Sequence, residues 1–220
     1  MSNIIIGKYT LESLTTGMYA DPYVVFREYI QNAADAIDNA VRQNLLKKDA
    51  AEIVIRLSPA ERSIVISDNG TGIPADEAEQ TLISIGNSKK ASELDRGFRG
   101  IGRLAALGYC SKLTFETSAV SENIGTRIII DSSRLSQLLT AKDDREVTIT
   151  EVLGRVYFVE RYSESRASHY FKVILDGVDD TSGLNDYENV VSYISQNAPV
   201  PYDPSSFAWG KEIVRRLYAE

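Results

Sequence analysis

Hydrophobic positions in the first third of the chain recur first at helical and then at strand spacing. Between residues 23 and 44, Val25, Phe26, Tyr29, Ile30, Ala33, Ala36, Ile37, Ala40 and Val41 gather on one broad face at about 100° per residue, which predicts a long amphipathic helix. Asp21-Pro22 ahead of it supplies a cap and a proline near the first turn. Residues 53–57 and 63–67 alternate apolar with polar side chains around a Pro-Ala-Glu-Arg turn, the pattern of an antiparallel hairpin. Asp68-Asn69-Gly70-Thr71-Gly72-Ile73-Pro74 then interrupts the alternation. Beyond it the pattern predicts a short helix at 76–83, a polar loop at 86–96, and a glycine-rich entry at 97–102 into a helix ending near Gly108. Strands are expected at 112–117, 126–130, 146–150, 155–160 and 170–175, and helices at 187–196 and 211–218.

Composition narrows the class. The chain has 220 residues, enough for one generous domain or one domain and the start of another. Its formal net charge of −7 argues against a nucleic-acid surface, because neutralising phosphates takes clustered Lys and Arg. A single cysteine, Cys110, excludes an internal disulfide and fits a reducing compartment, with the thiol read as a small buried hydrophobe. The first ten residues lack a secretory pattern, and no apolar run approaches the roughly 18 residues of a membrane span. The expected location is the cytoplasm.

Three clusters carry candidate chemistry. Glu28, Asn32 and Asp35, at i, i+4 and i+7, share a stripe opposite the apolar face of the first helix; a solvated polar face has the same spacing. In Asp68-Asn69-Gly70-Thr71-Gly72, glycines after a hydrophobic strand let the backbone approach a flat ligand, and an ionised Asp68 can accept the exocyclic amine of adenine. A tight turn after an edge strand is the competing reading. Gly97-Phe98-Arg99-Gly100-Ile101-Gly102 enters a helix, where free N–H groups and the helix N-terminus favour phosphate. It lacks the Gly-Lys-Ser/Thr ending of a P-loop.

In this order, over roughly residues 10–131, the three clusters resemble the GHKL ATPases, the superfamily of gyrase, the ninety-kilodalton heat-shock chaperones, histidine kinases and MutL. Glu28, Asn32 and Asp35 match its helix motif; Asp68, Gly70 and Gly72 its adenine motif; Gly97, Gly100 and Gly102 its lid-and-phosphate motif. Gly125-Thr126 is similar to the late Gly-Thr whose hydroxyl reaches adenine through water. The likeness is closest to the chaperone branch, through residues 27–36, 84–89 and 193–200, although the lid at 86–97 is shorter and a run of strands intervenes between Thr126 and Tyr193. The only histidine, His169, lacks a helical dimerisation context and is read as a structural or surface residue, which speaks against a histidine kinase.

The resemblance implies a Bergerat fold: an α/β two-layer sandwich, with a mixed, mostly antiparallel sheet covered on one face by helices. It implies an ATP-binding core at 1–131, with 132–220 completing it or beginning a following domain. Glu28 would be the general base, Asn32 the Mg²⁺ ligand, and Asp35 a support behind them. Asp68, Gly70, Gly72 and Thr126 would hold adenine. Main-chain donors of Phe98, Arg99, Gly100, Ile101 and Gly102 would hold the phosphates, with Ser88 and Lys89 as lid contacts. The expected activity is slow hydrolysis of Mg·ATP to ADP as the motor of a larger chaperone-like protein, which dimerises on binding ATP and draws a further cation from a following domain. A nucleotide-gated switch with little turnover and a gyrase- or MutL-type DNA ATPase are the rival readings.

Overall fold

The computed structural model describes residues 21–83, 102–140 and 149–198. The first helix, α1 (Val24–Arg42), follows Asp21, whose carboxylate accepts the Tyr23 N–H at 3.0 Å. It ends in a Schellman arrangement: Asn44 is left-handed (φ 58), its N–H donates to Val41 O, and Leu45 N–H donates to Ala40 O at 2.9 Å.

Strands β1 (Ile53–Ser58) and β2 (Ser63–Asp68) form the expected hairpin. After α2 (Ala78–Ile83), the helix expected to end near Gly108 is formed in its described part as a 3₁₀ helix, Gly102–Gly108. Then come β3 (Lys112–Ser118), β4 (Ile124–Asp131), α3 (Ser132–Thr140), α4 (Ile149–Gly154), β5 (Tyr157–Ser163), β6 (Tyr170–Asp176) and α5 (Tyr187–Asn197). The strand expected at 146–150 is not formed in its described part, where α4 begins at Ile149. Val147, Thr148, Ile149 and Thr150 favour a strand locally. Apolar positions 149, 152, 153 and 156 have helical spacing, however, and Val152, Leu153 and Val156 are buried in the core with Leu135 and Leu139 of α3. The expected lid at 86–96 and helix at 211–218 lie outside the described residues.

Among the described residues the sheet has six strands in the order β1-β2-β6-β3-β4-β5, and all five ladders are antiparallel. The sheet expected to be mixed and mostly antiparallel is therefore antiparallel throughout in these residues. Its registers build continuous rows on one face. Ile64, Leu175, Leu113 and Ile130 form one row, and Ile66, Val173, Phe115 and Ile128 the next, each side chain 2% exposed or less. Helix α1 lays Val25, Phe26, Tyr29 and Ile30 into this core. The opposite face carries a charged row in which Glu116 is held between Lys172 and Arg127 at 2.8 Å each, and Arg127 reaches Glu160 at 3.1 Å.

Strand β6 occupies the middle of the sheet although it comes last among the strands in sequence. To reach it, the connection at 164–169 leaves the outer strand β5 and crosses the β3–β4 turn, where Arg166 O accepts Ser121 N–H at 2.8 Å and Glu164 N–H donates to Asn123 O at 3.0 Å. Strands β5 and β6, both beyond residue 131, thus belong to the same sheet.

Candidate nucleotide site

The polar stripe of α1 is not solvated. Asp35 is 8% exposed, the Glu28 side chain 17%, and Asn32 is half-buried. Glycine-bearing segments wall the stripe in. A Cβ added to Gly102, the first residue of the 3₁₀ helix, would lie 1.9 Å from Glu28 Oε2, and one on Gly70 would lie 2.6 Å from Ala36. Glycine at both positions is what lets these segments close against the helix. The other Glu28 oxygen, Oε1, takes an ion pair from Arg27 at 3.2 Å.

Asp68 ends β2 and is buried, 6% exposed. Gly70 N–H donates to Oδ1 at 2.9 Å. Burial pushes the carboxyl up to about 7, with the Gly70 hydrogen bond opposing the shift. The ionised form expected to accept adenine is thus disfavoured by burial. Gly72 has φ +63, and a Cβ there would lie 1.9 Å from Ser118 O. Next to it, Ile73 N–H donates to Thr117 Oγ1 at 2.8 Å.

The registers decide which side chains share this level of the sheet. Asp68 pairs with Phe171, Phe171 with Thr117, and Thr117 with Thr126. Phe171 is half-buried and stacks on Phe115 at 5.8 Å between ring centroids. Thr126 stands two strands further from Asp68 than Phe171 does, is 1% exposed, and its Oγ1 has no hydrogen-bond partner. The structure therefore sets Gly102 against Glu28 and the Asp68–Gly72 turn, through Gly70, against Ala36 of the same helix, but does not bring Thr126 beside Asp68. Gly125 has a local reason of its own: a Cβ there would lie 2.3 Å from the Tyr162 ring.

Ser88, Lys89, Gly97, Phe98, Arg99, Gly100 and Ile101 lie outside the described residues. Sequence reasoning missed Phe171 and Thr117, which carry no motif and become visible only through strand order. It read His169 as structural or surface, and the imidazole Nδ1 lies 2.7 Å from Gly70 O.

An antiparallel sheet covered by helices, with Glu28 and Asp35 on one helix and Asp68 at the end of a neighbouring strand, each beside a close-packed glycine segment, defines a two-layer α/β domain. Residues 21–152 match the family described as histidine kinase-, DNA gyrase B- and HSP90-like ATPase, and the chain belongs to that family. It is similar to the chaperone protein HtpG of Shouchella clausii, 29% identical over 133 residues (53% of this chain and 21% of that protein). HtpG of Photorhabdus laumondii is 28% identical over 163 residues, 66% of this chain and 26% of its own length. HtpG of Bacillus subtilis is 29% identical over 132 residues, 54% and 21% respectively. The chain thus matches about a fifth to a quarter of the length of these curated relatives.

Proposed function

We propose that this chain binds Mg·ATP and hydrolyses it to ADP as the ATPase module of a larger, chaperone-like cytoplasmic protein that dimerises when ATP binds. Asp68 carries the reading. It is a carboxylate with one N–H on Oδ1, buried next to the Gly70–Gly72 turn, and able to accept the amine that adenine has and guanine lacks. Its proximity in sequence to the Gly70–Gly72 turn and the family match over residues 21–152 support the assignment.

Glu28 is the base that orients and deprotonates the attacking water, and Gly102 lets it stand against the phosphate-binding segment. Asn32 would hold Mg²⁺ through its amide oxygen, a hard donor of the kind this ion takes, on the half-buried stripe. When bound, the ion supplies charge neutralisation along the phosphates. Asp35 backs Asn32 one helical turn on. Main-chain N–H groups from Phe98 to Gly102 receive the phosphates, and Ser88 and Lys89 belong to the lid. The core at 1–131 and the following residues act as one ATPase unit at least through β6, as the central position of that strand supports.

Calorimetry with Mg·ATP and Mg·GTP tests binding, and a steady-state phosphate-release assay tests turnover. Binding of ATP at least tenfold tighter than GTP is expected, with slow release of phosphate that rises in a longer chain supplying a further cation. ATP binding with no phosphate release in either chain refutes hydrolysis in favour of a nucleotide-gated switch. Salt-dependent DNA binding by the longer chain is the result expected of a gyrase- or MutL-type protein instead.

A further inference from the structure

One side chain reaches the Gly70–Ile73 turn from a part of the chain that no nucleotide motif covers. His169 closes the 164–169 connection, and its Nδ1 lies 2.7 Å from the carbonyl oxygen of Gly70. A carbonyl oxygen only accepts, so Nδ1 carries the proton. At the other end of the turn, Ile73 N–H donates to Thr117 Oγ1 at 2.8 Å, and that hydroxyl donates to Tyr170 O at 3.0 Å. Two successive residues at the entry to β6 therefore hold both ends of the turn, His169 directly and Tyr170 through Thr117.

The residue so held matters. Gly70 has the greatest backbone freedom of any residue type, and a Cβ there would lie 2.6 Å from Ala36, so glycine is required. Its own N–H fixes Asp68 Oδ1 at 2.9 Å. With the carbonyl pinned by His169 and the N–H engaged by Asp68, both peptide planes flanking Gly70 are fixed before any ligand arrives. Fixing a binding loop in advance raises affinity by removing an ordering cost from the binding step.

We propose that His169 is a positioning residue for the nucleotide: through Gly70 it holds the Asp68 carboxylate in its accepting orientation, so that the 164–169 connection sets nucleotide affinity. The proposal rests on the reading of Asp68 as the adenine acceptor. His169 touches no nucleotide atom in this scheme and takes no part in the hydrolytic step.

Because the chain has one histidine, a long-range ¹H–¹⁵N spectrum of the full chain reports this imidazole alone. The neutral ring should carry its proton on Nδ1, with Nε2 bare. Calorimetry with a non-hydrolysable Mg·ATP analogue should find His169→Ala about three- to tenfold weaker than wild type, the scale of one lost hydrogen bond, with an unfolding midpoint within a few degrees. His169→Asn, whose amide N–H stands close to the Nδ1 position, should recover most of the affinity; His169→Gln, which reaches further, should not. If His169→Ala fails to fold, the Asn and Gln variants decide by the same contrast. Wild type that binds the analogue while His169→Ala binds it equally well overturns the proposal alone, as does an Nδ1 without its proton. Wild type that binds no analogue overturns the reading of Asp68 and the proposal with it.

Discussion

Phe171 stands directly opposite Asp68 in the β2–β6 ladder, on the face of the sheet that meets α1. A base accepted by the Asp68 carboxylate therefore meets the Phe171 ring before any residue of β3 or β4. Replacing the ring with an aliphatic side chain keeps the apolar wall and removes the stacking surface. Phe171→Leu should weaken ATP binding about three- to tenfold, in keeping with the worth of an aromatic contact. Thr126→Val, two strands further on, should leave affinity within about twofold. It should also raise stability by about 1 kcal/mol, since it removes a buried hydroxyl without a partner. Calorimetry and denaturant titration on the two variants check both statements; a large affinity loss in Thr126→Val returns that hydroxyl to the adenine site.

Asp68→Asn should abolish detectable ATP binding in a folded protein, because the amide can still accept the Gly70 N–H but presents no second carboxylate oxygen to the adenine amine. The stability of the wild type should depend on pH in a definite sense. Burial raises the folded-state carboxyl from 3.8 to about 7, so the folded protein holds a proton that the unfolded chain releases. The stabilisation is complete below about pH 4 and is lost as pH rises through 7. Wild type should therefore lose on the order of 2–4 kcal/mol relative to Asp68→Asn between pH 4 and pH 8. Denaturant titrations of both proteins across that range measure it, and parallel curves would rule the raised carboxyl out.

Turnover should depend on the fit of Glu28 against Gly102. Glu28→Ala is expected to keep ATP affinity within a few-fold while losing on the order of 10²-fold or more in rate, the contribution of a general base. Gly102→Ala puts a methyl where Glu28 Oε2 lies, 1.9 Å from the ideal Cβ, and should slow hydrolysis by at least about tenfold by displacing the carboxylate. Single-turnover assays separate these effects from binding; unchanged rates in Glu28→Ala would assign the base elsewhere.

Gly125 should matter to stability through Tyr162. A methyl at Gly125 meets the Tyr162 ring at 2.3 Å, and that tyrosine is also hydrogen-bonded to Tyr170 OH at 2.7 Å, so the ring has little room to move. Gly125→Ala is expected to cost about 1–3 kcal/mol, the range of overpacking in a fitted site. Combining it with Tyr162→Ala should cost less than the sum of the two single changes, because the clash is gone. Additive losses in a double-mutant cycle would locate the cost in the strand backbone instead.

Local pattern by itself was enough for α1, the β1–β2 hairpin, and the Asp68-Gly70-Gly72 turn, because the period of the apolar positions and the breaks at glycine are properties of neighbouring residues. The polar stripe Glu28, Asn32 and Asp35 was legible for the same reason. That it is walled in rather than solvated was not, since the covering residues Gly70 and Gly102 come from other segments. The strand expected at 146–150 rested on the β-branched residues 147–150, and burial of Val152 and Leu153 in the core with α3 made the described end of that segment the start of a helix. Strand order was decided only in three dimensions. Nothing near Tyr170 in the sequence says that β6 will enter beside β2, more than a hundred positions earlier in the chain. Pairing across that separation is set by which edges bury the most apolar surface and satisfy the most backbone groups. Once β6 is there, it puts Phe171 opposite Asp68, puts His169 on Gly70, and leaves Thr126 behind two intervening strands.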